Sequence, residues 1–270
     1  MAYIDGALLD FKLLDRLAFG KTSLHRLDPK AKVLVTFFFV VSVVSFGKYD
    51  LSALFPFFVF PVVMISIGSL PAGFIVKKVL LFAPFVVLIG VFNPLFDREA
   101  LVWFGSFGVS GGWVSCASIV VRAMLTLSAV LILVGLTGFP AVCGALERLG
   151  MPKVMAVQLL FLYRYIFVLT EEGARTSRAR ELRTFGKHGS GIRSFGSLVG
   201  HLLLRTWERA ERIHMAMLAR GFTGEFHNRT VYRFGRQEWV FLSGWTSLFL
   251  VLRFTNFSLV LGSALTGMLP

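Results

Sequence analysis

The chain has 270 residues, of which 56% are hydrophobic and 16% are charged, with a net formal charge of +13. Soluble domains average about 25% charged residues, so this apolar excess is too large to be hidden in an ordinary core. Several apolar runs approach the roughly 20 residues that cross a bilayer, which indicates a membrane protein.

The amino-terminal stretch, residues 1–32, is charged throughout and has no early apolar run, so no signal peptide is visible. We expect it to be a cytoplasmic segment that is not processed. Asp28 directly before Pro29 predicts a helix N-cap followed by proline at the first helical position.

Five apolar segments follow, and we interpret them as five transmembrane helices. They lie at residues 33–46, 51–68, 79–96, 114–136 and 239–265. Pro56, Pro61 and Pro84 lie inside these segments, where we expect kinks. The predicted domains are therefore four helices within 33–137 and a last helix within 238–270.

The distribution of Lys and Arg predicts the orientation of these helices. The amino-terminal segment and the 69–78 loop are basic, whereas the 47–50 and 97–113 loops hold one Lys or Arg each. Loops rich in Lys and Arg stay on the cytoplasmic side. We therefore expect a multi-pass protein of the cytoplasmic (inner) membrane, with its amino end cytoplasmic and its carboxyl end outside.

Residues 138–237 form the predicted cytoplasmic insertion, and most of the positive charge lies here. Gly and Pro breaks predict three helices, at about 141–149, 153–185 and 192–220. On the third, one apolar face is predicted, formed by Val199, Leu203, Ala210, Ile213 and Met217. The predicted fold is an all-α membrane protein with an arginine-rich helical module inserted before the last span.

The second of these helices carries four arginines within nine residues: Arg175, Arg178, Arg180 and Arg183. Like charges this close on a helix repel each other unless Glu171, Glu172, Glu181 or an external acidic partner compensates. An acidic partner is the simplest interpretation. A solvated face, a cytoplasmic-side marker or a contact with anionic lipid is also compatible with the spacing. Nucleic-acid binding is disfavoured, because no binding motif is present.

The third helix ends at Ala219, Arg220 and Gly221. Glycine is preferred just past a helix end because it enters the left-handed region without strain. The guanidinium of Arg220 is therefore predicted to stand out at a helix tip, where arginine can hold a carboxylate through two hydrogen bonds.

Four stretches resemble the transmembrane T component of energy-coupling factor transporters, and most closely its cobalt and nickel branch (the CbiQ and NikQ type). They are LHRLDPKAK (24–32), FLYRYIFVLTEE (161–172), SRARELR (177–183) and RAERIHMAMLARGFTG (209–224). The resemblance implies a non-catalytic coupling subunit without cofactor, whose cytoplasmic module docks two ABC-type ATPase subunits. A separate membrane subunit would bind the metal ion.

The resemblance also implies which residues contact the ATPases. The second motif is intact as Ala219, Arg220 and Gly221, and the first reads Ala179, Arg180 and Glu181. Arg175, Arg178 and Arg183 would support the contact. Because Glu181 stands where the family has glycine, a backbone role for glycine is in doubt there, and we expect Glu181 to continue the helix.

Two other functions stay open at this point. The first is a T component that serves a vitamin-binding subunit. The second is a membrane enzyme whose basic cytoplasmic face binds an anionic substrate, although no Walker A, GxSxG, HExxH or aspartate-rich motif is present.

Metal ligands and membrane charges give further expectations. The histidines are dispersed (His25, His188, His201, His214 and His227), so we expect no metal site built from this chain alone. Cys116 and Cys143 are predicted to be ordinary small apolar residues. Arg122 and Arg253 lie within or near apolar spans, where a charge costs about 2.5 to 3.5 kcal/mol at the membrane centre. We expect Arg122 to reach the headgroups and Arg253 to face protein, such as a partner subunit.

Overall fold

The computed structural model describes residue 13 and residues 15–93, 100–104, 107–183, 192–224 and 234–255. The helices are α1 (Ser23–Arg26), α2 (Pro29–Val44), α3 (Leu51–Leu54), α4 (Val59–Gly68), α5 (Ala72–Gly90), α6 (Gly111–Thr137), α7 (Phe139–Arg148), α8 (Lys153–Arg183), α9 (Ile192–Ala219) and α10 (Arg236–Phe254). A 3₁₀ turn at Phe55–Phe58 joins α3 to α4, and it contains Pro56, one of the prolines at which a kink is expected.

In the described part of the chain, four helical segments are long and apolar enough to cross a membrane. They are Leu51–Gly68, Ala72–Gly90, Gly111–Thr137 and Lys153–Arg180. The first three overlap the second, third and fourth predicted spans. The prediction of a helical, multi-pass membrane protein is confirmed.

The other spans differ from the prediction. At 1.5 Å per residue the 16 residues of α2 cover about 24 Å, less than the roughly 30 Å of a hydrocarbon core. The described part of α10 contains Arg236, Glu238 and Arg253, and the predicted continuation to residue 265 lies outside the described residues. By contrast, Lys153–Arg180 has the length and composition of a span, although it is predicted as a cytoplasmic helix.

A short hairpin is an exception to the predicted all-α fold. In the predicted 97–113 loop, β1 (Ala100–Phe104) pairs antiparallel with β2 (Phe107–Ser110). The run ALVWF is rich in residues that favour strands, and antiparallel strands can pair across a tight connection. Local pairing therefore adds two strands that helical periodicity does not predict.

The chain divides into two compact units. The bundle unit comprises Leu14–Gly138 and Tyr232–Pro270, and the arginine unit comprises Met1–Leu13 and Phe139–Val231. In the bundle unit, α2 packs against α6 and α10, and α5 packs against α6. In the arginine unit, α8 packs against both α7 and α9.

Aromatic rings form the centre of the bundle unit. Phe39 of α2 stacks on Phe60 of α4 with ring centroids 4.4 Å apart, and Phe249 of α10 lies 5.4 Å from each. Phe57, in the 3₁₀ turn, lies 6.0 Å from Phe39. All four rings are almost completely buried. Since aromatic side chains bury large apolar areas, the short helix α2 is a central element of this unit.

The helices of the arginine unit end close to the predicted positions. Their observed bounds, Phe139–Arg148, Lys153–Arg183 and Ile192–Ala219, differ from the predictions by two residues or fewer at each end. The predicted apolar face of α9 is only partly covered by the rest of the chain. Ile213 and Met217 are half-buried, whereas Val199, Leu203 and Ala210 are exposed. The half-buried stripe instead passes through Leu202 and Arg209, because contact with α8 decides which side is covered.

Candidate functional site

The arginine-rich parts of α8 and α9 are linked through one carboxylate. Glu172 Oε1 accepts a hydrogen bond from Arg205 Nη1 at 3.2 Å, and Glu172 Oε2 lies 3.7 Å from Arg175 Nη2. Glu172 therefore compensates part of the arginine cluster, as its position in the sequence allows. Both arginines are largely exposed, so each pair contributes about 0 to 1 kcal/mol.

A positively charged cleft of about 650 Å³ lies between α8 and α9. Its lining includes Ala179 and Arg180 of the first motif, together with Arg175, Arg205 and Glu172. Three guanidinium groups against one carboxylate leave the lining net positive. The cleft therefore suits the carboxylate or phosphate of an anionic partner, for which arginine offers paired donors.

Arg178 and Glu181 lie close to Arg180 in the sequence of α8. Arg178 is exposed and makes no ion pair or hydrogen bond with another residue in the described part of the chain. Glu181 lies inside α8, which continues to Arg183, so the expectation that it continues the helix is confirmed.

The second motif forms the end of α9. Gly221 has φ +78°, in the left-handed region. Its N–H donates to Leu218 O at 2.9 Å, and the N–H of Phe222 donates to Met217 O at 3.0 Å. This pair of bonds is a Schellman motif, which closes the last turn of a helix. The prediction that Gly221 ends the helix in a left-handed conformation is confirmed.

This helix end presents Arg220 to the outside. Arg220 is the last residue before Gly221, it is exposed, and it has no ion-pair partner among the described residues. Because the Schellman bonds fix the backbone on both sides, the guanidinium starts from a rigid point. Such a side chain is well placed to reach into a groove of another protein.

The two motif arginines lie at different ends of the α8–α9 pair. Arg180 lines the cleft together with His201 of α9, and Arg220 lies 19 residues further along that helix. At 1.5 Å per residue this separation is about 30 Å. The structure therefore keeps the two arginines apart and does not combine them in one site.

A second, apolar cleft of about 320 Å³ lies further along the same helix pair. Its lining includes Phe161, Tyr165, Ile213, His214 and Met217. His214 and Met217 thus belong to an apolar surface. Among the residues that the structure describes, no three His, Cys, Asp or Glu side chains are grouped so that they could hold a metal ion. His188 and His227 lie outside those residues.

The two arginines of the apolar spans bind backbone carbonyls of the chain itself. Arg253 Nη2 donates to Ser45 O at 3.0 Å and its guanidinium lies over the Phe46 ring. Arg122 Nη2 donates to Gly47 O. The expectation that Arg253 faces protein is confirmed, because Arg253 contacts residues of its own chain. Arg122 likewise has a partner within the bundle unit rather than only the headgroups.

Both cysteines are buried and free, as expected of small apolar residues. Cys116 of α6 lies against Gly90 of α5, where an added methyl would come within 2.8 Å of Sγ. Cys143 lies in α7.

Sequence reasoning missed a buried polar pair at the start of α2. Asp28 caps the helix by accepting from Lys30 N at 2.8 Å, as predicted. The second member is Lys32, whose ammonium is buried and donates to Leu136 O at 3.1 Å. A lysine one turn after a helix N-cap, directly before an apolar run, is the signal that could have indicated it.

Comparison with known proteins identifies the family. The family model of CbiQ, described as cobalt transport protein, matches residues 20–232 of the chain. The chain belongs to the CbiQ family. The match includes all four stretches that carry the resemblance noted in the sequence, with both arginine motifs, and it confirms that resemblance.

Three relatives of this CbiQ-family chain are named as transport proteins. Cobalt transport protein CbiQ of Salmonella typhimurium is 29% identical over 153 residues, which cover 52% of this chain and 68% of the relative. The energy-coupling factor transporter transmembrane protein EcfT of Bacillus subtilis is 27% identical over 242 residues, 84% of this chain and 90% of the relative. Nickel permease LarQ of Lactiplantibacillus plantarum is 30% identical over 107 residues, 40% and 39% of the two chains. The CbiQ-family chain is thus a multi-pass T component of an energy-coupling factor transporter.

Proposed function

We propose that this chain is the coupling subunit of an ATP-driven importer of cobalt or nickel ions. Two ABC-type ATPase subunits hydrolyse ATP, and a separate membrane subunit binds the ion. The chain itself catalyses no reaction and transmits motion between these partners. We place its amino end and residues 138–237 in the cytoplasm, including Lys153–Arg180 although that helix is long and apolar enough to cross a membrane, and we place its carboxyl end outside.

The exposed guanidinium of Arg220 at the closed end of α9 carries this proposal. An exposed arginine without a partner in the described chain, on a backbone held by two Schellman bonds, is suited to dock in an acidic groove. Ala219 has a small side chain, so it leaves room around Arg220 for a partner. Gly221 permits the turn that follows Arg220. These three residues form the contact with one ATPase.

Arg180 with Ala179 and Glu181 forms the contact with the second ATPase. Its position in a net positive cleft, about 30 Å along the helix pair from Arg220, supports two separate docking points. Arg175, Arg178 and Arg183 add positive charge around this contact. The ATPases move when they bind and hydrolyse ATP. Because α8 and α9 are bound to them through the two contacts, both helices are displaced as well.

Exposed apolar side chains on the same helices support a further partner. Leu162 and Ile166 of α8 and Leu203 and Trp207 of α9 are exposed. Exposed apolar groups on a helix pair mark a contact with protein or lipid. In this proposal part of that surface contacts the substrate-binding membrane subunit, which receives the motion.

Cobalt is favoured over nickel as the transported ion, because the matching family is described as a cobalt transport protein. The name of the relative LarQ favours nickel. A vitamin is the alternative substrate, since the name of EcfT specifies no metal. Uptake of radioactive Co²⁺ and Ni²⁺ by cells with and without the chain distinguishes these cases, and uptake of neither would contradict metal import.

Affinity purification tests the docking contacts. The tagged chain is isolated from native membranes as wild type, Arg220→Glu and Arg180→Glu, and the ATPase subunits that accompany it are quantified. Breaking one partner of a buried ion pair costs about 3 to 5 kcal/mol, so each variant should lower ATPase recovery at least roughly 100-fold. Metal uptake should be lost to the same extent.

Arg212→Glu is the matched control. Arg212 is also an exposed arginine of α9, but it pairs with Glu208 on its own helix at 3.8 Å. We expect this variant to retain its ATPases. A wild-type chain that purifies without ATPases, or an Arg220→Glu variant that retains them, would overturn the proposal.

A further inference from the structure

Lys32 is a buried lysine, and the proposed docking of ATPases gives no reason for its burial. Its side chain is 2% exposed, although lysine is almost never fully buried unless it is paired. Nζ donates a hydrogen bond to Leu136 O at 3.1 Å, and Asp28, one turn earlier, attracts the ammonium group. The hydrogen bond joins residues 104 positions apart in the sequence. It links the amino end of α2 to the carboxyl end of α6.

The Leu136 carbonyl needs a donor from outside its own helix. It lies in the last turn of α6, where carbonyls have no intrahelical partner. Four residues further on stands Pro140, which has no N–H, and Gly138 has φ +77°, which turns the backbone out of the helix. The partial negative charge at a helix carboxyl end favours a cation. Lys32 therefore supplies a donor and a charge that this end of α6 lacks.

The Leu136 side chain is held as well. It is 1% exposed and lies against Gly68, the last residue of α4. A methyl group added to Gly68 would come within 2.6 Å of Leu136 Cδ2, so Leu136 would have to move. The ends of α2, α4 and α6 therefore meet on one residue. That residue lies two positions before Gly138, the last residue of the bundle unit in this part of the chain.

We propose that Lys32 and Gly68 clamp Leu136 and so hold the end of α6 in place where the chain enters the arginine unit. Lys32 is then a positioning residue for coupling, an inference that rests on the proposed function. With the clamp intact, the carboxyl end of α6 stays in place when α8 and α9 move, so their movement reaches the substrate-binding subunit. Without the clamp, the end of α6 is displaced together with α8 and α9. This displacement absorbs their movement, and the substrate-binding subunit does not move.

Lys32→Met tests the clamp, because methionine keeps the length of the side chain and removes its charge and donors. The complex purified with its ATPases is reconstituted, and ATP hydrolysis and import of Co²⁺ and Ni²⁺ are measured on the same preparation. Loss of one charged hydrogen bond predicts that ions imported per ATP fall about tenfold. ATPase recovery and ATP hydrolysis should stay at wild-type levels, and Lys32→Arg should restore part of the import.

Lys30→Met is the matched control, since Lys30 lies two residues away and only its backbone N–H is used in capping. It should import normally. If Lys32→Met imports normally per ATP, or if it lowers ATPase recovery as much as import, the positioning role is wrong.

Gly68→Ala provides a second test in case Lys32→Met does not accumulate. It displaces Leu136 while leaving Lys32 unchanged, so the number of ions per ATP should fall in the same way. Gly73→Ala is its control, because a methyl there meets no atom within 4 Å. Normal coupling in Gly68→Ala would overturn the clamp. Absence of ATPases from the wild-type preparation would instead overturn the proposed function, and this role of Lys32 with it.

Discussion

The cationic side chains of the two units differ in where they find their partners. In the bundle unit, Lys32, Arg122 and Arg253 donate to backbone carbonyls of the same unit. In the arginine unit, Arg178 and Arg220 are exposed and form no ion pair with another described residue. A cation among apolar helices must be paired, whereas one on an exposed helix can stay free.

This difference separates two uses of positive charge. The bundle unit uses its cations to hold helix ends and loops, so their loss should be seen as lower stability. Under the proposed function the exposed cations of the arginine unit bind partners, so their loss should be seen as weaker binding with unchanged stability. Four measurements test the comparison, from the largest expected effect to the smallest.

Phe39→Ala should produce the largest loss of stability, because it removes the central ring of the bundle unit. Truncating a buried phenylalanine costs about 3 to 5 kcal/mol. Thermal unfolding of the detergent-purified chain measures the loss. Phe37→Ala is the control on the same helix, since Phe37 is 58% exposed, and it should have little effect. Equal losses from the two variants would show that the bundle unit does not depend on its aromatic centre.

Arg253→Leu and Arg178→Leu compare a paired arginine with a free one. Arg253 donates to Ser45 O and lies over Phe46, so its loss should lower the stability of the isolated chain by about 1.5 to 3 kcal/mol. Arg178→Leu should change stability by less than about 0.5 kcal/mol and should lower ATPase recovery. Both quantities are measured for both variants. If Arg178→Leu is the more destabilising, the comparison between the units is wrong.

Gly221→Ala should destabilise the end of α9 by about 1 kcal/mol, because alanine is strained at φ +78°. Hydrogen exchange of the backbone amides around residues 210–222 should become faster. Gly200→Ala, inside the same helix, should stabilise α9 and slow the exchange. Alanine is favoured at this position, and its methyl meets no atom within 4 Å. Slower exchange in Gly221→Ala would contradict the observed helix end.

His25 should give the smallest effect, which depends on pH. Its Nε2 donates to Leu17 O at 2.9 Å, and Nδ1 lies 2.6 Å from the Thr22 hydroxyl, from which the neutral ring can accept. Burial is the main cause that lowers the pKa of His25 below its ordinary 6.5. Repulsion by Lys32 lowers it further, and the bond to Leu17 opposes the shift.

Because the folded chain favours the neutral ring, the unfolded chain binds more protons as the pH falls. The stability contributed by His25 is therefore complete above about pH 6.5 and is lost as the pH falls below it. Melting temperatures between pH 7.5 and 5.5 should decrease less in His25→Gln than in wild type. An unchanged slope in His25→Gln would exclude this contribution.

Much of the arginine unit can be predicted from its sequence, because local signals define its helices. Gly221 ends α9 through its own backbone conformation, and Asp28 caps α2 through a hydrogen bond two residues away. Glu172 is recognisable as a possible compensating charge because it lies about one helical turn from Arg175. Its second partner, Arg205, lies 33 residues away and could not be recognised by spacing.

The membrane spans were predicted less well, because hydropathy measures composition and not packing. α2 resembles a span in composition, yet it is 16 residues long and carries the central Phe39. Val199 and Leu203 follow helical apolar spacing, but contact with α8 leaves them exposed. Local periodicity defines a face, and only the neighbouring helix determines whether that face is covered.

The sequence by itself determined the helical class, the helix ends of the arginine unit, the two arginine motifs and the family. These features depend on interactions within a few residues or on residue identity alone. Only the tertiary structure decided which cations are paired, which side of α9 is covered, and that Lys32 meets Leu136 beside Gly68. Those contacts join residues that are distant in the chain, and they exist only when the packed helices bring a donor to a carbonyl that its own helix leaves open.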